Sequence, residues 1–383
     1  VGDPGIDEIV GDPNIQIVVE LMGGDGAKKI IANALENGKH VITANKAVIA
    51  NYGDELFAIA RKNQVGLSIE ASVCGAIPII HLLGDYYKQG NGIRAIYGIL
   101  NGTTNFILTR MMDGMDYGEA LRKAQALGFA ESNPVFDVSG KDAQQKLAIL
   151  ASIAFQRVIK PEEIHTMGIA EGDRGQYPLV EVLDLSYNSH NHGMNIKLIG
   201  QAKKVSDGIE AMVCPMLVPK DHPLAKVDNE FNTVFVDVEY MGKQQLVGRG
   251  AGGEPTAYAV MVDLRSLVED ILAKREVVNV YPTAINPQLN VKTIWDTVSS
   301  GYIKSISPEI PGMFALKAKI LADHGINISL MDDLRGGRMS TEIIGSDVPD
   351  VVYFDPKDER TIDQAIKKME RETKIKSPVY IRR

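Results

Sequence analysis

Residues 15–22 read IQIVVELM, a short apolar run between turn-forming residues, which predicts a strand buried on both faces of a parallel sheet. Helix-period patterning follows from Gly26 to Asn37. A second short run at His40–Thr43, a second helical stretch over about 47–62 and a third run at Val65–Ala71 complete the segment. Strands alternating with helices of roughly ten to fifteen residues predict part of a doubly wound, Rossmann-type α/β sheet of the kind that binds dinucleotides. From Ala76 to about Val247 the pattern changes to mixed helix and strand, which predicts a mixed α+β substrate domain. Residues 256–273 carry an apolar helical face, and 276–300, with Pro282 and Pro287, read as a linker. Beyond it the order is a strand at Ile303–Ile306, an amphipathic helix at Met313–His324, strands from Gly325 and at Ser340–Gly345, and a helix at Thr361–Glu372. That order is a separate βαββα unit.

Two stretches depart from this pattern. A dinucleotide sheet ordinarily opens with strand, G-x-G-x-x-G and helix, because the glycines let the backbone approach a pyrophosphate at a helix N-terminus. No such fingerprint precedes Ile15, and Gly23-Gly24-Asp25-Gly26 lacks its spacing. A first strand-helix-strand unit takes about 30 residues, more than the opening VGDPGIDEIVGDPN provides. The expectation is therefore a chain that starts inside the nucleotide domain, with the first strand and glycine loop missing. Residues 172–195, in contrast, look irregular and polar. His190 and His192 lie there without acidic or cysteine companions at ligand spacing, so a flexible loop is expected rather than a metal site.

Composition narrows the class. The chain has 383 residues, 45% hydrophobic and 23% charged, with a formal net charge of −8. It is long enough for two or three domains and too acidic for an extended nucleic-acid footprint, since only the last dozen residues are locally basic. Two cysteines, Cys74 and Cys214, give no disulfide framework and fit a reducing cytoplasm. No apolar run approaches the ~20 residues of a membrane span, so no membrane partner is expected.

The chemistry concentrates in Leu127–Lys146, LGFAESNPVFDVSGKDAQQK. Glu131 and Asp137 sit on a turn-rich loop, and Ser139-Gly140-Lys141-Asp142 reads as a capping box opening a helix to about Phe155. Asp142 and Lys146, four apart, share one helix face. Taken alone, the cluster is equally a cap, a surface ion pair and two solvated acids. Its company changes that: Thr43-Ala44-Asn45-Lys46, Glu70-Ala71-Ser72-Val73-Cys74-Gly75-Ala76-Ile77-Pro78, Gly98-Ile99-Leu100-Asn101-Gly102-Thr103-Thr104-Asn105, and Gly248-Arg249-Gly250-Ala251-Gly252-Gly253-Glu254-Pro255-Thr256-Ala257.

In this order the blocks resemble homoserine dehydrogenase, over roughly residues 10 to 275. The resemblance implies an oxidoreductase that reduces L-aspartate 4-semialdehyde to L-homoserine with NADP or NAD. It implies Lys146, Asp142 and Lys46 as the catalytic group, with either lysine able to stabilise the oxyanion, and Glu131 and Asp137 as ligands of the substrate ammonium. Met22, Lys46 and Gly252 would meet the cofactor. Glu70 with the carbonyls of Val73, Gly75 and Ile77 would hold a monovalent cation, usually sodium, with a purely structural turn as the alternative. In the family the helix after the glycine-rich turn packs back on the nucleotide domain, which gives 1–70 with 246–275, 71–245, the linker and 301–383 as the expected units. The last of these, with Pro311-Gly312 before its first helix and His324-Gly325-Ile326-Asn327-Ile328 after it, resembles an ACT domain. That likeness implies an amino-acid effector, threonine by analogy, paired copies in a homodimer or homotetramer, and a place in threonine, methionine and isoleucine biosynthesis.

Two other readings compete. One is a catalytically incomplete fragment that serves as an amino-acid-binding or interaction protein, motivated by the missing fingerprint. The other is a thiol-dependent aldehyde dehydrogenase acylated at Cys74. A reactive thiolate needs a base or a positive field, and the sequence offers only His81 nearby.

Overall fold

Three short parallel strands, Ile17–Glu20, His40–Thr43 and Leu67–Ser68, lie side by side in that order, with Val18 level with Val41 and Val41 with Leu67. The computed structural model describes residues 5–383 apart from 25, 89, 91, 284–288, 309, 334–347 and 374. Helix Ala27–Glu36 buries Ile31, Ala34 and Leu35, and helix Lys46–Lys62 buries Ile49, Leu56 and Phe57. The second helix starts where it does because the Asn45 side chain accepts from the Val48 N–H at 3.1 Å. A short helix at Ile6–Gly11, absent from the pattern-based expectation, precedes the first strand and buries Val10.

The second sheet has ten strands among the described residues. It runs from Gly242–Arg249 through Phe231–Val238, Ile93–Ile99, Met194–Val205 and Gly208–Pro219, then continues into Lys376–Arg382, Val298–Ser307, Val348–Asp358 and Ile328–Asp333. His165–Thr166 also pairs with Gly208–Pro219. The two halves meet at one parallel pairing, Arg382 with Met216. Helices Gly102–Met112 and Lys141–Phe155 pack on the first half, the latter burying Leu147, Ile149, Leu150 and Ile153. Among the described residues no helix is long and apolar enough to cross a membrane.

Several local expectations need correction. The C-terminal order is βαββαβ rather than βαββα: KSPVYIR, which looks like a basic tail in sequence, forms a strand whose residues pair with Val298–Ser307. The strand expected at 340–345 lies outside the described residues, and the third strand of this unit is Val348–Asp358. The irregular loop expected at 172–195 contains a helix, Val182–His192, closed by Gly193 at φ +61. Its Ser, Asn and His residues have poor helix propensity, and burial of Leu185, Tyr187 and Asn188 overrides it. His190 Nδ1 bonds the Ser186 carbonyl, and His192 packs against Tyr187 and Tyr353. Nor does Ser139 cap the helix that carries Asp142 and Lys146. A left-handed Gly140, φ +84, takes the cap position after a turn of helix at Val135–Val138.

Helix Gly253–Leu272 packs its Ala259, Val260 and Leu267 on Ile42 of the three-stranded sheet and on Ala71 in the turn that follows it. The stretch after it is irregular yet strapped down. Tyr281 is wholly buried and stacks on Phe57 at 5.2 Å, and Arg61 donates to the carbonyls of Asn279 and Tyr281 at 2.7 and 2.5 Å.

Candidate active site

Asp142 is the hub of the site. Its Oδ2 receives Lys146 Nζ at 2.8 Å and Asn101 Nδ2 at 2.8 Å, while its Oδ1 lies 3.0 Å from Lys46 Nζ. The i,i+4 spacing on one helix aligns Asp142 with Lys146, and Lys46 arrives from the first turn of the Lys46–Lys62 helix. Burial alone would raise the Asp142 carboxyl, but the two ammoniums and the Asn101 amide outweigh it and hold the group well below the usual carboxylate range. For Lys146, burial would lower the ammonium, and Asp142 reverses that to a net upward shift. Lys146 also donates to the Leu100 carbonyl at 2.9 Å. An ammonium has three donors; two are committed among the described residues, which leaves one for a substrate oxygen.

Asp137 stands beside this pair. Asn101 Nδ2 reaches its Oδ1 at 2.8 Å, and the Thr103 hydroxyl lies 3.2 Å from its Oδ2 and 2.5 Å from the Phe129 carbonyl. Burial, then repulsion from Asp142, raises the Asp137 carboxyl. Asn101 thus clamps both acids, and its own Oδ1 is fixed by the N–H and hydroxyl of Thr104, each at 2.8 Å. A cleft of about 640 Å³ opens on this cluster, lined by Asn101, Thr103, Glu131, Asp137, Asp142 and Lys146. It is also lined by Glu230, Arg249, Ala251, Gly252 and the first residues of the helix Gly253–Leu272. Gly252, φ +116, caps the helix Gly253–Leu272 there.

Not every candidate residue reaches the cleft. Lys46 touches it only through Asp142, with its ammonium 5.5 Å from the centre of the Phe136 ring. Met22 is exposed in the loop after the first strand, where buried Glu20 accepts from the N–H groups of Met22 and Gly23 at 2.7 and 3.2 Å and from the Thr43 hydroxyl at 2.7 Å. Gly23 and Gly24 have φ +71 and +76 with open space around them. This loop and Thr43–Lys46 lie at the carboxyl ends of parallel strands, the edge at which α/β sheets hold nucleotides, so the residues present fit a dinucleotide.

Glu70, Val73, Gly75 and Ile77 lie together on the turn that joins the two sheets. The Glu70 carboxylate is already occupied: it accepts from the N–H groups of Ile80 and His81 at 2.9 and 2.8 Å and pairs with His81 Nδ1. Any cation there would meet backbone oxygens rather than this side chain. Gly75, φ +52, has no room for a side chain, since a Cβ would stand 2.9 Å from the Arg249 carbonyl. Cys74 beside it is buried, with Sγ 3.8 Å from Asn232 Nδ2, and burial pushes its thiol up to about 11. A thiol protonated at neutral pH is no nucleophile, which removes the thiol-dependent reading.

Sequence reasoning expects residues 101–105 to line the cleft, and Asn101 and Thr103 do, but it missed the clamp that Asn101 makes on both acids, Asn232, whose amide shares the Leu100 carbonyl with Lys146 at 2.9 Å, and Arg249. None has periodic spacing to the acidic block, and only the fold brings them to it.

Comparison with known proteins agrees with this geometry. The homoserine dehydrogenase family model matches residues 78–264, and the model of the homoserine dehydrogenase NAD binding domain matches residues 4–70. A homoserine dehydrogenase of Synechocystis is 40% identical over 340 residues, covering 84% of this chain and 74% of its own. One of Neisseria gonorrhoeae is 38% identical over 333 residues, covering 85% and 73%. The crystal structure of a homoserine dehydrogenase from Thiobacillus denitrificans superimposes with a TM-score of 0.88 at 34% identity, covering 99% of this chain and 84% of that one. A hyperthermophilic archaeal homoserine dehydrogenase in complex with NADPH gives 0.59 at 29% identity, covering 70% and 76%. The match over 4–70 does not favour a binding protein without a cofactor.

Proposed function

The chain belongs to the homoserine dehydrogenase family and is an oxidoreductase of that kind, and from this premise we propose that it interconverts L-aspartate 4-semialdehyde and L-homoserine with NADPH or NADH through the Asp142–Lys146–Lys46 group. The observation that carries the residue assignment is the free donor of Lys146, a buried ammonium at the wall of the cleft. Met22, Lys46 and Gly252 would hold the cofactor, whose bound nicotinamide supplies the hydride in reduction and accepts it in oxidation. Lys146 stabilises the alkoxide that develops on the aldehyde oxygen and passes it a proton, an electrostatic contribution strengthened by exclusion of water. Asp142 keeps Lys146 charged and aimed. Lys46 shares that carboxylate and steadies it from the nucleotide side. Glu131 and Asp137 receive the substrate ammonium, since carboxylates are acceptors for its donors.

In the same proposal the nucleotide unit spans 1–70 with 246–275, the substrate unit 71–245, and a regulatory unit 301–383. The βαββαβ order of the last, with Gly312 at φ +86 opening its first helix, supports an ACT-type effector site that takes an amino acid such as threonine, in a homodimer or homotetramer. A monovalent cation on the carbonyls of Glu70, Val73, Gly75 and Ile77 would brace the turn between the sheets. Homoserine would then feed threonine, methionine and isoleucine synthesis. The test is homoserine-dependent reduction of NADP⁺ and NAD⁺. Activity is expected, with Glu131→Gln raising KM for homoserine about tenfold or more and changing kcat little; an unchanged KM would refute the ammonium assignment.

A further inference from the structure

The cleft has an uneven charge inventory. Five carboxylates line it, Glu131, Asp137, Asp142, Glu230 and Glu254, against two cations, Lys146 and Arg249. Lys146 is committed to Asp142 at 2.8 Å and Lys46 to the same group at 3.0 Å. Arg249 makes no ion pair and no side-chain hydrogen bond among the described residues. Its backbone, however, is fixed. It ends the strand Gly242–Arg249 in register with Phe231, its carbonyl accepts from the Ala76 N–H at 3.2 Å, and its neighbours are glycines because no side chain fits there. A Cβ on Gly248 would meet Ile77 at 2.9 Å, and one on Gly250 would meet Asn232 at 2.1 Å. The alternation of the strand therefore turns the positions on either side of Arg249 inward and Arg249 itself to the cleft.

We propose that Arg249 is the specificity residue that receives the α-carboxylate of the substrate. The proposal rests on the homoserine reading above. That substrate is a zwitterion: its ammonium has Glu131 and Asp137 to meet, and its carboxylate needs a cation that is not already neutralised. Arg249 is the lining residue that meets that need, and its planar guanidinium matches a carboxylate with two parallel N–H donors. A cofactor phosphate is the rival occupant for the same fork. Five acids around the cleft disfavour that anion, whereas they suit a ligand that brings its own ammonium.

The experiment compares the enzyme with Arg249→Met and Arg249→Lys, using homoserine and 3-aminopropan-1-ol, which is homoserine without its carboxylate, each with NADP⁺. The expected result for Arg249→Met is a KM for homoserine raised about 10- to 100-fold, with kcat and the KM for NADP⁺ nearly unchanged, as when a single charge-assisted pair with the substrate is removed. The preference for homoserine over the decarboxylated analogue falls by the same factor, and Arg249→Lys recovers part of it. An unaltered homoserine KM, or a rise confined to NADP⁺, would overturn the proposal. If the parent enzyme oxidised no homoserine at all, the substrate reading would fail instead, so the two failures are distinct. Circular dichroism of the variants excludes loss of fold as the cause.

Discussion

Asp142 shows how much one carboxylate is asked to do. Burial of such a group is costly unless it is paired and hydrogen-bonded, and here two lysines and an asparagine from three separate segments supply the compensation. The helical half of that arrangement is legible in the sequence, because Asp142 and Lys146 are one turn apart on a face whose neighbours are apolar. Asn101 is legible as a residue of the cleft but not as the partner of Asp142, because it lies 41 residues upstream and that bond depends on the end of strand Ile93–Ile99 arriving over the helix. Cys74 illustrates the converse: its motif invites a nucleophile, and only burial and the raised thiol deny it. Cys74→Ala is accordingly expected to keep homoserine oxidation within a few-fold of the parent, measured as kcat/KM; near-total loss would return the thiol to the mechanism.

At the scale of elements, periodicity gives the strand His40–Thr43 and the helix Lys46–Lys62 almost to the residue, whereas the apolar runs 15–22 and 65–71 shorten to Ile17–Glu20 and Leu67–Ser68. The failures share one cause, tertiary packing overruling local signals. Helix Val182–His192 forms from a sequence with weak helix propensity because the C-terminal unit covers it: Lys304 Nζ reaches Asp184 at 2.7 Å and the Tyr353 hydroxyl reaches Asn188 at 2.6 Å. Ser139 fails to cap its helix because the turn Val135–Val138 is pinned from the other side, where the Ile169 N–H donates to the Val138 carbonyl at 2.8 Å. Gly168 makes that approach possible, since a Cβ there would stand 2.0 Å from the Val138 oxygen. Gly168→Ala is expected to cost about 1–3 kcal/mol by overpacking and, by shifting the turn that carries Asp137, to raise KM for homoserine. A variant with unchanged Tm and KM would show that this turn is not held as described.

For the molecule as a whole, the sequence predicts the join between the nucleotide and substrate parts only as a turn. The structure adds a titrating cluster to it. Glu70 on the turn, His81 on the next helix and Asp263 on the returning helix meet there, with His81 Nε2 3.5 Å from Asp263 Oδ1 and the Glu70 N–H bonded to Asp263 Oδ2 at 3.0 Å. Burial, assisted by the Glu70 charge and opposed by His81, pushes the Asp263 carboxyl up to about 7. The hydrogen bond to Glu70 leads the causes that raise His81 despite its partial burial. Both folded values lie above their unfolded ones, so the folded state holds protons that the unfolded chain releases. The stability they contribute is full at low pH and is lost as pH rises, for Asp263 between about 4 and about 7. Asp263→Asn keeps an acceptor for the Glu70 N–H and should flatten the fall of Tm with pH in that window; an unchanged slope would place the titrating group elsewhere. Continuity of the ten-stranded sheet through Arg382 and Met216 is invisible in the sequence, because it depends on a final strand that reads as a charged tail.

The decisive measurement is the rate of homoserine-dependent NADP⁺ reduction by Lys146→Ala beside that of the parent, with the fold checked by circular dichroism. If Lys146 is the group that meets the reacting oxygen, kcat falls by orders of magnitude while the fold is retained, since the substitution removes an interaction that strengthens in the transition state. Turnover comparable to the parent would contradict this assignment and move the chemistry away from the Asp142 hub.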